Sequence, residues 1–344
     1  MKRWRILTFA SLLGVFFVIL LWTGQVRFQI GEKQLGEKNE AVFSSKSSVA
    51  SVTWELLISP YGVEKELLDI FAQTTYQVHM RNYLLTEKTF LRMFANLWQM
   101  WKEVKIILEN EVYGGDTKAF DKARRRLEPY DVQLVSDEKM WTNFVHAKTM
   151  IIDDDTFVIA TANFTYPSLW RNREYWFVGK NKAILRSLSS IFDKDFNGEK
   201  LSKKDIDTHL YVCPIDCREK ISNALKNAKK SIQIETQYIQ DWSLVKILQH
   251  QKSRGIHVQL LVGDKQEPGR LESFGTWFKM LGDPYIHAKN ILIDDKLLIM
   301  WSANLSENAL DNNREIGIFI DDPKIIKKFQ GQFERDWNRK RAKS

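Results

Sequence analysis

The stretch of sequence that decides the fold occurs twice. It reads His146-Ala-Lys148-Thr-Met-Ile-Ile-Asp153 in the first half of the chain and His287-Ala-Lys289-Asn-Ile-Leu-Ile-Asp294 in the second. Each copy joins a histidine and a lysine, two residues apart, to a short apolar run. Such a run predicts a buried strand, on which residues two apart project from the same face. The sequence therefore predicts an imidazole beside an ammonium group in each half.

The similarity of the two halves extends well beyond this stretch. Residues 146–197 align with residues 287–338 at a constant offset of 141 and without a gap. Upstream the offset rises to 154, so the first half carries about 13 extra residues, which we place between Asn110 and Pro129. A register kept over this length indicates a duplicated unit. The further matched pairs that bear on chemistry are Thr161 with Ser302, Asn163 with Asn304, and Glu174 with Glu315.

The hydrophobic pattern of each half predicts the fold class. Short apolar runs alternate with amphipathic segments, which is typical of an α/β sandwich with a mixed sheet. We expect strands near 56–58, 104–108, 149–152, 157–160, 210–212, 231–234, 258–262, 290–293 and 297–301, and helices near 63–73, 89–98, 216–228, 243–253 and 323–335. The predicted architecture is two tandem α/β sandwich repeats, residues 52–198 and 208–340, joined by a linker at 199–207 and facing each other as a pseudo-dimer.

The N-terminus has the pattern of a membrane anchor. Lys2, Arg3 and Arg5 precede an uncharged run from Ile6 to Val26, which is long enough to cross a bilayer as a helix. We expect residues 1–27 to form one transmembrane helix with a cytoplasmic N-terminus, followed by a polar stalk at 28–51. The remainder would lie outside the cytoplasm at a plasma membrane. A cleaved secretory signal, giving a secreted or periplasmic protein, is the alternative.

Composition limits the classes of partner and site. Lys and Arg number 51 against 43 Asp and Glu, a net charge of +8. This charge excludes a preference for cationic substrates and leaves both nucleic acid and phospholipid open. Cys213 and Cys217 have no histidines at zinc-ligand spacing, so no metal site is expected. We expect two ordinary thiols, with a disulfide as the alternative.

The duplicated residues suit phosphodiester chemistry. One of His146 and His287 can attack phosphorus and form a covalent phosphohistidine. The other can protonate the leaving alkoxide and then deprotonate the incoming alcohol or water. Lysine and asparagine side chains can hold the non-bridging oxygens as negative charge develops, and no cofactor is required. Glu174 and Glu315 are the candidates to bond the far ring nitrogen of each imidazole.

The chain resembles the phospholipase D superfamily, whose signature is His-x-Lys-x4-Asp followed, six residues later, by Gly-Ser-x-Asn. The resemblance covers about residues 52–340. Around Thr236-Gln-Tyr238 the chain is similar to bacterial cardiolipin synthases. It implies catalytic roles for the histidines, lysines and aspartates of both copies. It also implies that Asn163, Asn304, Thr161 and Ser302 bind the substrate phosphate. Ala160 and Trp301 replace the signature glycine, and we expect them to change the packing close to the site.

Three functions remain open at this stage. The first is a membrane-anchored phospholipase D or cardiolipin synthase-type phosphatidyltransferase, whose partners are phospholipid and the bilayer. The second is a metal-independent nuclease of the same superfamily, which the net positive charge supports. The third is a non-catalytic, membrane-tethered binding protein. No obligatory protein partner is evident, and complete motifs in both halves favour the enzyme.

Overall fold

Two mixed β-sheets form the framework of the protein. The computed structural model describes residues 54–264 and 272–339, all within the compact unit Ser51–Ser344. The first sheet has the strand order β1-β7-β6-β5-β2-β3-β4, with β12 added beside β7. Its strands are β1 (Trp54–Ser59), β2 (Gln77–Asn82), β3 (Glu103–Leu108), β4 (Gln133–Ser136), β5 (Thr149–Ile152), β6 (Thr156–Ala160), β7 (Asn172–Gly179) and β12 (Tyr285–Ile286).

The second sheet repeats this arrangement with the order β11-β10-β9-β13-β14-β15-β8. Its strands are β8 (Leu210–Cys213), β9 (Ser231–Thr236), β10 (His257–Val262), β11 (Phe278–Met280), β13 (Lys289–Ile293), β14 (Leu297–Trp301) and β15 (Glu315–Ile320). β2 pairs parallel with β3 and antiparallel with β5, and β9 pairs in the same two ways with β10 and β13. The sheets are therefore equivalent, as the offsets in sequence predict.

Helices cover both sheets. They are α1 (Val63–Ala72), α2 (Lys88–Gln99), α3 (Lys118–Leu127), α4 (Tyr166–Trp170), α5 (Lys182–Asn197), α6 (Cys217–Lys226), α7 (Trp242–Ser253), α8 (Glu307–Asp311) and α9 (Pro323–Trp337). Equivalent helices begin with equivalent caps. The side chain of Asn181 accepts hydrogen bonds from two backbone N–H groups of α5, and Asp322 does the same for α9. α3 lies within the residues we assigned to the insertion, between β3 and β4.

Three hydrophobic clusters explain how the layers pack. One cluster belongs to the first repeat and includes Phe90 and Met150, and a second belongs to the second repeat and includes Leu244 and Trp301. The third draws buried residues from both repeats, among them Tyr175 of β7 and Ile316 of β15. Each sheet thus buries one face against its own helices and the other against the opposite repeat. This shared core joins the two repeats into one pseudo-symmetric molecule.

The α/β fold with mixed sheets is confirmed, and every strand and helix expected from sequence is present, with boundaries shifted by at most two residues. The expectation of two ordinary thiols is wrong. Cys213 ends β8 and Cys217 begins α6, which brings their Cα atoms to 5.1 Å, and they form a disulfide.

The expected transmembrane helix and polar stalk, residues 1–51, lie outside the described residues. Among residues 54–264 and 272–339, no helix is both long enough and apolar enough to cross a bilayer.

Candidate active site

The two copies of the motif meet where the repeats face each other. His146 and Lys148 lie just before β5, and His287 lies just before β13, whose first residue is Lys289. The imidazole side chains are 13% and 17% exposed, whereas both lysines are fully buried beneath them. Each lysine ammonium donates to the backbone carbonyl of the histidine two residues before it. Lys289 Nζ also lies 3.4 Å from the carbonyl oxygen of Thr161 in the first repeat.

Each imidazole is held by a carboxylate from the opposite repeat. Nδ1 of His146 lies 2.8 Å from Oε1 of Glu315, and Nδ1 of His287 lies 2.6 Å from Oε1 of Glu174. A carboxylate acceptor at Nδ1 favours the proton on that nitrogen and leaves Nε2 for chemistry. Sequence reasoning selected both glutamates as partners of the imidazoles. The structure adds that each glutamate belongs to the repeat opposite the histidine it contacts.

The hydroxyl groups of the motif bind these glutamates rather than facing the cleft. Thr161 donates to Oε2 of Glu174 at 2.6 Å, and Ser302 donates to Oε2 of Glu315 at 2.5 Å. Both hydroxyl residues are fully buried. This position differs from the expected one, in which Thr161 and Ser302 bind the substrate phosphate. Because each hydroxyl proton is given to a carboxylate, these side chains orient the glutamate that orients the histidine.

Burial changes the protonation of the site. It lowers the pKa of His146 to about 4 and that of Lys148 to about 7. Burial also lowers the pKa of His287 and of Lys289. For Lys148 the positive charge of Lys289 lowers the pKa further, while Glu315 opposes the shift. The free site therefore favours neutral imidazoles near pH 7, the form in which a histidine is nucleophilic.

The two motif asparagines retain an unpartnered polar atom at the site. Oδ1 of Asn163 and Oδ1 of Asn304 are buried without a hydrogen-bond partner among the described residues. Asn304 also lies beside the phenol of Tyr238. Buried amide atoms of this kind ordinarily find a partner, so both side chains are suited to meet a substrate or water.

Asp153 and Asp294 lie at the far end of β5 and β13 from the histidines. Asp153 accepts hydrogen bonds from the backbone N–H groups of residues 75, 76 and 77, where β2 begins. Asp294 does the same for residues 229, 230 and 231, at the start of β9. The resemblance implies a catalytic role for both aspartates, whereas their contacts here are structural. They fix the turn into the neighbouring strand and do not contact the imidazoles.

The residues at the signature glycine position point away from the cleft. Trp301 is 1% exposed, and it packs in the second-repeat cluster against Tyr211, with ring centroids 5.5 Å apart. Ala160 belongs to the equivalent cluster of the first repeat. Both side chains therefore pack in the cores of their own repeats. Gly317, opposite Trp301 on β15, leaves the space that the Tyr211 ring fills.

A sequence model described as the cardiolipin synthase, phospholipase D-like domain matches residues 67–196 and 221–337, most of both repeats. The chain belongs to the phospholipase D superfamily. Within this superfamily it is similar to the major cardiolipin synthase of Bacillus subtilis strain 168, at 32% identity over 124 residues, 33% of this chain and 26% of that protein. It is also similar to a probable cardiolipin synthase of the same strain, at 25% identity over 233 residues, 56% of this chain and 45% of that protein. The matched part spans about a quarter of the length of the first curated relatives.

Solved structures of low identity share the phospholipase D-like fold. The phosphatidylserine synthase of Haemophilus influenzae Rd KW20 superposes with a TM-score of 0.65 at 14% identity, covering 85% of this chain and 87% of that one. The polyphosphate kinase of Porphyromonas gingivalis also gives a TM-score of 0.65, at 16% identity, covering 83% of this chain and 50% of that one. At these identities the likeness concerns the fold alone.

Sequence reasoning missed several residues that shape this phospholipase D-like cleft. The buried pairs Arg314–Asp195 and Arg173–Asp336 each join the two repeats and anchor the residue before a histidine-binding glutamate. These residues could have been found from sequence, because all four positions recur at the offset of 141. The ring of Tyr83, 4.9 Å from that of His146, could not be found in this way, because its counterpart in the second repeat is Gln237.

Proposed function

We propose that this protein cleaves or transfers the phosphodiester of membrane phospholipids through a covalent phosphohistidine, as a phospholipase D or a cardiolipin synthase-type phosphatidyltransferase. The observation that carries the proposal is the crossed pairing of each imidazole with a buried glutamate of the other repeat. It supplies two oriented imidazoles, one for nucleophilic attack and one for proton transfer. Membership of a family described as cardiolipin synthase supports phospholipid as the substrate class.

The proposed reaction has two steps. Nε2 of one neutral imidazole attacks phosphorus, so that an N–P bond forms while the P–O bond to the first alcohol breaks. The second imidazole enters this step as the imidazolium, the form that the charge of its glutamate favours, and gives that oxygen a proton. The second imidazole then takes a proton from water or a new alcohol. The oxygen of that molecule attacks phosphorus and the N–P bond breaks. Lys148, Lys289 and the two motif asparagines would hold the non-bridging oxygens through both steps.

Product analysis tests the proposal directly. The purified protein would be incubated, with EDTA present, with vesicles of phosphatidylglycerol and phosphatidylethanolamine, and the lipids followed by mass spectrometry. His146→Ala removes one imidazole of the cleft. His209→Ala is a matched control, because the imidazole of that exposed histidine lies on the surface, where it contacts Asp207. We expect phosphatidic acid or cardiolipin from the unmutated protein and the control, and a loss of at least a thousandfold in His146→Ala.

The outcomes separate the three functions considered from sequence. Phosphatidic acid would identify water as the acceptor, and cardiolipin would identify a second phospholipid. A folded protein that changes no lipid would contradict the proposal, and single-stranded and double-stranded DNA and RNA would be assayed next. A protein that binds vesicles with equal affinity before and after His146→Ala, and that converts neither lipid nor nucleic acid, would be a binding protein.

Rapid acid quenching addresses the intermediate. After mixing with lipid, peptides that contain His146 and His287 would be examined for an added phosphatidyl group. A modification on one of the two peptides is expected, and it would identify the nucleophile. Unmodified peptides throughout a productive turnover would argue for direct displacement by water or alcohol.

We also propose that residues 1–27 anchor the protein in the plasma membrane with the N-terminus in the cytoplasm. The support is the order of Lys2, Arg3 and Arg5 before the apolar run. The intact mass of the protein extracted from membranes checks this proposal. A chain that retains residues 1–27 is expected, whereas a shorter mature chain would indicate a cleaved signal.

A further inference from the structure

Outside the duplicated motif, the two imidazoles have different neighbours. Three positions around the cleft differ between the repeats at the offsets found in sequence. Tyr83, Phe144 and Asn110 of the first repeat correspond to Gln237, Tyr285 and Asp264 of the second. The histidines, lysines and glutamates are duplicated, so a difference in the roles of the two halves has to come from residues such as these.

The neighbours of His146 are aromatic. The ring of Tyr83 meets the imidazole edge to face with centroids 4.9 Å apart, and Phe144 contacts that ring in turn at 6.3 Å. The phenol oxygen of Tyr83 accepts a hydrogen bond from the backbone N–H of Tyr113 at 2.6 Å. This hydroxyl is therefore already paired with the chain as an acceptor. The imidazole of His146 thus lies beside ring surface.

The neighbours of His287 form a hydrogen-bonded polar group. Nε2 of Gln237 donates to the phenol oxygen of Tyr285 at 3.0 Å, and that phenol donates to Oδ1 of Asp264. The Tyr285 ring lies 6.4 Å from the imidazole of His287. All three side chains are half-buried, so they border the cleft without being sealed in the core. We refer to Gln237, Tyr285 and Asp264 as the polar triad.

The backbone is shaped to bring the polar triad together. Gly263 precedes Asp264, and a Cβ atom there would lie 2.0 Å from the carbonyl oxygen of Ile286. Only glycine allows β10 and the segment before His287 to approach so closely. The first repeat has Glu109 at the equivalent position, where its carboxylate instead accepts from the N–H of Val145 at 2.7 Å. The polar triad is therefore a feature of the second repeat alone.

We propose that the polar triad is the binding site for the acceptor alcohol, and that it selects glycerol-type head groups with several hydroxyls. This inference rests on the proposed phosphodiester transfer and deepens it. An alcohol hydroxyl both donates and accepts, and an amide, a phenol and a carboxylate together offer both kinds of partner. Placing the alcohol beside His287 makes that imidazole the acid and base, and makes His146 the nucleophile. The second step then begins when His287 takes the proton of the bound hydroxyl, whose oxygen displaces the nitrogen of His146 from phosphorus.

Single-hydroxyl variants of the full-length protein test the subsite. Tyr285→Phe removes the phenol of the polar triad and installs the side chain that the first repeat has at Phe144. Tyr83→Phe is the matched control, because it removes a phenol on the opposite side of the cleft. Vesicles of phosphatidylglycerol would be supplied with deuterated glycerol over a range of concentrations. Mass spectrometry would then count deuterated phosphatidylglycerol, the transfer product, against phosphatidic acid, the hydrolysis product.

Tyr285→Phe is expected to raise the KM for glycerol roughly tenfold, the effect of losing one hydrogen bond, and to shift products toward phosphatidic acid. Tyr83→Phe should leave both the KM and the product ratio within about twofold, whatever its overall rate. Asp264→Asn, which installs the residue found at Asn110, should change the ratio in the same direction as Tyr285→Phe. An unchanged ratio in an active Tyr285→Phe protein, or a shift caused by Tyr83→Phe instead, would overturn the subsite alone. An unmutated protein that is folded and neither exchanges nor hydrolyses lipid would overturn the proposed function and the subsite together.

Discussion

Each imidazole of the cleft depends on one carboxylate that the other repeat supplies. Replacing Glu315 by Gln keeps the size of the side chain but removes the charge that orients His146 and stabilises its protonated form. We expect turnover to fall by about 10²- to 10⁴-fold, with little change in stability, because carboxylates bonded to catalytic histidines contribute on this scale. Steady-state kinetics and urea unfolding of the same samples measure both quantities. Glu307→Gln, an exposed glutamate on α8, is the control.

Glu174→Gln should give a loss of similar size through His287. A normal rate in either variant would show that the crossed pair is not needed for catalysis. A loss of rate that merely follows a loss of folded protein would point to the same conclusion.

For Asp153 we expect a substitution to change stability rather than turnover. Its carboxylate accepts three backbone N–H bonds at the start of β2, and its own backbone is left-handed with φ near 50°. Asn tolerates that conformation but is a weaker acceptor, so Asp153→Asn isolates the loss of charge. We expect the free energy of unfolding to fall by about 1–3 kcal/mol while the rate per folded molecule is kept. A stable variant with abolished turnover would restore a catalytic role to Asp153.

At the scale of single elements, α2 and α7 end in the same way but with different residues. The second position after the helix is Gly255 in the second repeat, with φ 85°, and Trp101 in the first, with φ 62° and 94% exposed. A bulky residue in this left-handed conformation costs about 1–2 kcal/mol of stability. Glycine removes that strain, but its greater freedom in the unfolded state offsets part of the gain. Trp101→Gly is therefore expected to raise the free energy of unfolding by up to about 1 kcal/mol. Urea unfolding measures it.

The mirror substitution is the control for this prediction. Gly255→Ala adds a Cβ atom that meets nothing within 4 Å, so any cost comes from the backbone alone. We expect a loss of about 1 kcal/mol. Should Trp101→Gly prove clearly destabilising instead, the exposed indole would have a packing role that its surroundings do not suggest.

Elements with a strong local pattern could be predicted from sequence, and those without one could not. Apolar runs such as 290–293 located β13 to within one residue, and an offset of 141 relates α5 to α9. β12 has only two residues and pairs with β7 of the other repeat, so nothing local indicates it. Sequence also selected Glu174 and Glu315 as partners of the histidines. It could not show that each partner crosses to the other repeat, because that depends on how the two sheets face each other.

At the scale of the whole molecule, two buried ion clusters join the repeats and differ in charge. Asp195 of α5 meets two guanidinium groups, that of Arg314 at 3.1 Å and that of Arg81 at 2.8 Å. Asp336 of α9 meets the guanidinium of Arg173 at 2.6 Å. The position equivalent to Arg81 is Glu235, which accepts from the phenol of Tyr175 at 2.7 Å. Burial, and next the charge of Asp336, raise the pKa of Glu235 to about 8.

The two clusters predict unequal losses in the free energy of unfolding when their aspartate is replaced by asparagine. Asp195→Asn leaves Arg81 and Arg314 buried side by side without a counter-charge, and we expect a loss of about 3–5 kcal/mol. Asp336→Asn leaves the buried Arg173 and the partly exposed Arg339 without this counter-charge. It also removes the negative charge that, after burial, raises the pKa of Glu235 most. Glu235 can then ionise beside Arg173 and offset part of the loss, so this variant should be the more stable of the two by at least about 1 kcal/mol. Urea unfolding at pH 7 compares them.

The compensation by Glu235 is itself measurable. Adding Glu235→Gln to Asp336→Asn removes the only replacement carboxylate that this mechanism invokes, so the double variant should lose more stability than the two single losses added together. When Glu235→Gln is added to Asp195→Asn, the two losses of stability should be additive. The reason is that Arg81 and Arg314 belong to the Asp195 cluster. Additivity in both backgrounds would show that Glu235 stays protonated regardless of Asp336. The asymmetry of charge between the repeats would then play no part in holding them together.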